Sequence, residues 1–212
     1  MNIRKIYIYV SIAAVTLGIS SCDDYLDKLP DNRMELNSKE KVQQFLVSAY
    51  PDHNPALLAE MYSDNSDEFK VTSWTSAGRF QDQAYAWADI TEISESETPQ
   101  EIWNSLYKAM GTANTALKAI RDNGNTDDYQ PSKGEALLCR AYAAFQLANT
   151  FCMAYDATTA EKYMGVPYPT EPETKVGTTY KRGTLAAFYD QINRDIEEGL
   201  PLITDNYSRP KY

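Results

Sequence analysis

The chain has 212 residues, enough for one domain with a real core or for part of a larger one, and sets 20 Lys and Arg against 30 Asp and Glu for a formal net charge of −10. That balance argues against nucleic acid and against a polybasic membrane patch, and leaves neutral carbohydrate or other proteins as partners. Three cysteines and one histidine show no ligand spacing for a metal and no signature of a bound cofactor, so neither is expected.

The chain opens on a secretory signal. Arg4 and Lys5 form a basic n-region, Ile6 to Val15 is apolar apart from Ser11, and the run is too short for a spanning helix. Residues 1–21 read as the signal peptide, because Ile19-Ser20-Ser21 before Cys22 has the aliphatic-small-small pattern of a bacterial lipobox, whose cysteine is acylated before cleavage. An ordinary signal peptide with an incidental cysteine is the alternative. Several tens of acyl CH₂ groups at about 0.8 kcal/mol each would hold a domain on a bilayer without a spanning segment. Asp23, Asp24 and Asp27 resemble the acidic tag that sends some Gram-negative lipoproteins to the outer face of the outer membrane. Without Arg4 and Lys5 the mature chain is two units more acidic.

A linker over residues 22–36, broken by Pro30, leads into a helical region predicted over 37–212. Asn37 and Glu40 are spaced like a capping box, and Val42, Phe45, Leu46, Ala49 and Tyr50 form a helical stripe that Pro51 ends. A short helix is predicted from Pro55 to Tyr62, with Pro55 in its first turn. Residues 63 to 98 mix Ser, Thr, Asp and Gly with aromatics at no sustained period, and read as a long loop region with short helical pieces.

The two strongest helices follow. Thr98-Pro99-Gln100-Glu101 caps a helix whose stripe runs Ile102, Leu106, Met110, Ala113, Leu117, Ile120 to a stop at Asn123-Gly124. Ser132 to Glu135 is read as a second capping box, opening a helix to about Phe151 with Leu138, Ala141, Tyr142, Phe145 and Ala148 inward. Cys139 and Cys152 lie on that helix with a rise of about 20 Å between them, too far to bridge. A loop around Gly165-Val166-Pro167 leads to a last helix, capped by Thr184 and carrying Leu185, Phe188, Tyr189, Ile192, Ile196 and Leu200. The fold class is all-α: helix hairpins of the tetratricopeptide kind with long irregular loops. Tyr207 to Tyr212 reads as a linker into something more, since a helix-hairpin array needs neighbours or a polar cap.

Trp103 to Asn114 (W-x-x-L-Y-x-A-x-x-x-x-N), Arg140 to Leu147, Gly165-Val166-Pro167 and Thr184 to Leu200 (T-L-x-x-F-Y-x-x-I-x-x-D-I-x-x-x-L) together resemble the SusD/RagB family, in order and over essentially the whole chain. The resemblance implies a surface lipoprotein, lipidated at Cys22, that captures oligosaccharides, or in RagB-type members peptides, above a SusC-type TonB-dependent channel. It also implies an incomplete fold, because members are considerably longer and this sequence matches their N-terminal helical half.

Catalysis has little support. His53 sits in a Pro-flanked turn, the pairs Glu95/Glu97 and Glu197/Glu198 lack the apolar setting that would split their pKa values, and no P-loop, GxSxG, HExxH or CxxC occurs. A glycosidase would need two carboxyls converging about 5 to 10 Å apart. A sugar site needs exposed aromatics beside planar polar groups, and the 64–87 stretch holds that mixture: Asp64, Trp74, Arg79, Asp82 and Trp87 are the candidate ligand residues. Packing of Trp74 and Trp87 onto the helices is the competing reading, and would favour a ligand-free scaffold that caps the transporter. Trp103, Tyr107, Tyr142 and Phe145 are assigned to the core.

Overall fold

The computed structural model describes residues 35–67, 79–93, 97–175 and 177–204. The chain divides into two units, Met1–Glu35 and Leu36–Tyr212, and the account below concerns the second. Cys22 with its lipobox, Trp74, Glu95 and Tyr207 to Tyr212 lie outside the described residues.

The described residues hold six α-helices: α1 (Lys39–Leu46), α2 (Ala56–Met61), α3 (Phe80–Tyr85), α4 (Pro99–Asp122), α5 (Gln130–Phe151) and α6 (Leu185–Gly199). Short 3₁₀ turns follow α1 and α6 and precede α5. An isolated bridge between Met164 and Thr184 is the extent of β pairing among them.

Helix α4 forms as its sequence dictates. The Thr98 hydroxyl accepts from the Glu101 N–H at 3.3 Å, Pro99 takes the first turn, and every residue of the Ile102-to-Ile120 stripe is buried. Thr184 caps α6 in the same way, accepting from Ala187 at 3.1 Å. Two predicted caps are corrected. Ser38, not Asn37, caps α1, while the Asn37 side chain takes the Lys41 ammonium. Ser132 caps nothing: the 3₁₀ turn Asp127–Tyr129 starts the coil early, so α5 begins at Gln130 and Ser132 lies buried inside its first turn.

Antiparallel α4, α5 and α6 stack as successive hairpins, with the small residues of α5 setting the spacing. Ala136, Ala141, Ala143, Ala144 and Ala148 are buried. A Cβ on Gly134 would stand 2.7 Å from the Gly199 carbonyl oxygen, so α5 and the end of α6 meet backbone to backbone. One apolar cluster joins α2 to α6 around Phe80, Leu106, Met110, Leu147 and Phe188; a second joins α1 to α4 and α5 around Leu46, Ile120 and Leu137.

Periodicity misjudged one face of α5. Tyr142 and Phe145 point outward, 51% and 43% exposed, while Leu138 is half-buried against the end of α6. On α6, Leu185, Phe188 and Ile192 are buried, and Ile196 and Leu200 are exposed. Trp103 and Tyr107 are half-buried rather than fully enclosed. Cys139 and Cys152 are unpaired; the first is buried and the second, at the end of α5, half-buried.

A buried polar hub ties the hairpins to the 165–173 loop. Arg140 of α5 makes a two-point pair with Asp195 of α6, Nε to Oδ2 at 2.6 Å and Nη2 to Oδ1 at 2.8 Å, and its Nη1 donates to Asn114 Oδ1 of α4 at 2.7 Å. Tyr168 donates its hydroxyl to Asp195 at 2.7 Å, and Asn114 Nδ2 donates to the Pro169 carbonyl at 2.8 Å. Burial alone would lower the Arg140 pKa; the hydrogen bond and charge of Asp195 more than reverse it. The same burial, with the Asp195 charge, pushes the Tyr168 phenol far above its ordinary range. Each of the four sequence motifs supplies residues here: Asn114, Arg140, the loop after Gly165-Val166-Pro167, and Asp195.

Candidate functional site

The candidate sugar-binding residues surround α2 and α3. Helix α2 ends at Tyr62, where Ser63 and Ser66 hydroxyls both donate to the Glu60 carbonyl and fold the chain into a tight turn that carries Asp64 exposed to solvent. Helix α3 is anchored by Phe80 and Ala84, both fully buried, which leaves its polar side outward.

Trp87 stands just past the C-terminus of α3 in a left-handed backbone conformation, φ +53°. The hydrogen bonds define the turn: the Trp87 N–H donates to the Ala84 carbonyl at 3.0 Å and the Ala88 N–H to the Gln83 carbonyl at 2.9 Å, the paired closure of a Schellman motif. The chain repeats that motif at the end of α4, where Gly124 N–H reaches Arg121 and Asn125 N–H reaches Ile120. There the left-handed position holds a glycine, Gly124 at φ +86°, as sterics favour. At the end of α3 it holds the bulkiest side chain available, at a backbone cost of about 1–2 kcal/mol.

The indole gains little burial from this arrangement, since Trp87 is 75% exposed. Among the described residues its one ring partner is Tyr62, with centroids 4.9 Å apart and planes inclined at 58°. The loop beyond is pinned by Gln83, whose side chain donates to Thr91 Oγ1 at 2.9 Å and accepts from the Thr91 and Glu92 N–H groups at 3.0 and 3.3 Å. An exposed indole on a half-buried tyrosine is therefore held on an ordered support, with a carboxylate, Asp64, two residues from Tyr62.

Arg79 and Asp82 lie toward the other end of α3, the helix spanning about 9 Å at 1.5 Å per residue. They pair with each other, Nη2 to Oδ1 at 3.3 Å, both partly exposed. The structure thus joins Trp87 to Tyr62 and Arg79 to Asp82. Tyr62 escaped the sequence reading because nothing in the sequence fixes the register between α2 and the turn after α3. The signal that could have found Trp87 as special is the helix stop without a glycine at residues 85–88.

Among the described residues no group of His, Cys, Asp and Glu could hold a metal ion, and no helix is long and apolar enough to cross a membrane. His53 is a loop residue whose N–H donates to Ser105 Oγ at 3.0 Å. Glu198 is engaged by Lys133 at 2.6 Å.

A family model, SusD-like_3, described as "Starch-binding associating with outer membrane", matches residues 24–212. Among solved structures, a SusD superfamily protein from Bacteroides vulgatus is similar at 15% identity with a TM-score of 0.59, over 82% of this chain and 37% of that one. At that identity the likeness concerns the fold, and this chain spans well under half of that neighbour's length. No curated protein matches.

Proposed function

The chain belongs to the SusD-like family, and on that premise we propose that it is an outer-membrane lipoprotein, anchored through Cys22 and facing the cell exterior, that captures nutrient oligosaccharides for a SusC-type TonB-dependent channel. The observation that carries ligand capture is Trp87: an indole 75% exposed, beside Tyr62, in a backbone conformation that glycine would adopt at lower cost. A residue kept against both burial and backbone preference is explained by what its open face binds. A sugar ring presents C–H faces to such an indole, and Asp64 is placed to accept from hydroxyls near Tyr62. The family description, starch-binding and associated with the outer membrane, supports the same class of ligand and the same location.

The test is titration of the chain with malto-oligosaccharides, then with other glycans, by calorimetry or NMR. One stacked ring contributes on the order of 1 kcal/mol, so an open platform binds at around millimolar and Trp87→Ala weakens it about fivefold without altering helical content. The outward ridge of Tyr142, Phe145 and Leu200 supports a second reading, a helical scaffold that caps the transporter. That reading prevails if Trp87→Ala and Trp74→Ala both stay folded and bind as the parent does.

A further inference from the structure

The outer side of α5 and the adjoining side of α6 form one uncharged face. At alternating steps of four and three, α5 presents Leu138, Tyr142, Phe145 and Asn149, and α6 presents Tyr189, Asn193, Ile196 and Leu200. Such a seven-residue repeat is the seam by which a helix packs on a further helix. The two stripes meet where Tyr189 takes Phe145 edge-on, centroids 6.4 Å apart, and where Leu138 lies against Gly199. Tyr155 packs on Tyr189 at 4.7 Å, so the rings hold one another before anything docks. Beside them, Tyr50, Leu138, Tyr142, Leu200 and Ile203 line an apolar groove of about 250 Å³.

Area and charge define what the face fits. Tyr50, Tyr142, Phe145, Ile196, Leu200 and Ile203 are each between 39% and 61% exposed. At about 200 Å² for a fully exposed large side chain, they present roughly 550 Å² of apolar surface. One side of a standard dimer buries about 800 Å², and about 65% of a homodimer interface is apolar, or about 520 Å². Charge is confined to the edge. Glu135 accepts from the Tyr50 hydroxyl at 2.9 Å, Asp190, Arg194 and Glu197 are exposed one step further round α6, and Asp156 follows the end of α5. The chain carries a formal net charge of −10, so two copies repel unless they meet through a face that spares their carboxylates.

A ridge and a groove on the same face are what a two-fold interface requires, since each copy must offer both. Leu138 and Phe145 lie about 10 Å apart along α5, with Tyr142 midway. A second α5, turned antiparallel about an axis at Tyr142, sets Phe145 of one copy over the groove beside Leu138 of the other, and the reverse. We propose that this face pairs two copies of the chain about a two-fold axis near Tyr142, α5 against α5. In the transporter-cap reading the same ridge would face a different protein. The face excludes Trp87 and Tyr62, so the pairing does not rest on the sugar platform.

The experiment co-expresses two full chains carrying different C-terminal tags, with the photoreactive residue benzoylphenylalanine in place of Tyr142, and irradiates them under reducing conditions. The same residue in place of Tyr85, comparably exposed on α3, is the control. Irradiation joins the two tags from position 142 and not from position 85, and light scattering of the purified chain gives twice the monomer mass. Tyr142→Lys, at an exposed position, keeps its helical content and weakens association at least about a hundredfold, because the axis brings two like charges together. Mixing Tyr142→Lys with Tyr142→Glu restores it, and Trp87→Ala leaves it unchanged. The proposal is overturned if the parent is monomeric and its tags stay apart, if position 85 joins them as well as position 142, if Tyr142→Lys associates as the parent does, or if the mixed charge variants do not pair. A crosslink from position 142 to a different protein, with the two tags unjoined, also overturns it and assigns the face to a heterologous partner.

Discussion

Replacing Trp87 with glycine and with alanine separates what its side chain contributes by packing from what its backbone conformation costs. The ring is 75% exposed, so it buries about a quarter of its surface. At about 60 Å² and 25 cal/mol per Å², with the Tyr62 contact included, that burial is worth roughly 1.5 kcal/mol. Both variants lose this. Glycine, however, releases the left-handed cost of about 1–2 kcal/mol, while alanine keeps it. Glycine gives back about 0.4–1 kcal/mol through the greater freedom of its unfolded chain. Trp87→Gly is therefore expected within about 1 kcal/mol of the parent, and more stable than Trp87→Ala by roughly 0.5–1 kcal/mol. In a region of this size that difference is about 1–4 °C in Tm. Denaturant unfolding followed by circular dichroism, read alongside calorimetric scans, measures it. If the alanine variant equals or exceeds the glycine variant, no backbone strain is stored at position 87 and the argument from strain to function fails.

Two further predictions concern the interior. Asp195→Ala leaves the Arg140 guanidinium buried without its partner, and should cost about 3–5 kcal/mol in denaturant unfolding, while the joint change Arg140→Met with Asp195→Leu should cost less than Asp195→Ala alone; a joint variant as unstable as the single one would show that the hub acts through shape rather than charge. Burial, aided by the charge of Glu135, raises the Cys139 thiol from 9.0 to about 11, so above pH 9 the unfolded chain gives up this proton while the folded chain keeps it, and stability falls as pH rises through that window. Between pH 8.5 and 10 the loss is about 1 kcal/mol, and unfolding of Cys139→Ala should show a correspondingly shallower slope; an unchanged slope would place the alkaline sensitivity elsewhere.

The apolar stripes of α4 and the first half of α6 were legible because a helix amphipathic about one face shows its period directly. Helix α5 was not, because Tyr142 and Phe145 recur at the same spacing as the buried alanines: periodicity says which residues share a face, not what covers it. The capping error at Ser132 has a local cause, since a 3₁₀ turn just ahead of a helix supplies hydrogen bonds that a capping side chain would otherwise satisfy. The motif residues Asn114, Arg140 and Asp195 stood out in the sequence, yet their meeting did not, because 26 and 55 residues separate the partners in sequence. Among the candidate ligand residues, the aromatic and acidic composition pointed to the region of Trp87. Its partner Tyr62 and its unusual backbone were matters of tertiary register.

The turn after α3 aims Trp87 by main-chain hydrogen bonds instead of enclosing its side chain. Most exposed tryptophans wander among rotamers and must be stilled when a ligand arrives, a penalty of about 0.5–1.5 kcal/mol per side chain. Here the backbone fixes where the indole starts and Tyr62 limits where it can swing. If Trp87 is the sugar platform proposed above, that ordering is done once, when the chain folds, and is not repeated at each encounter.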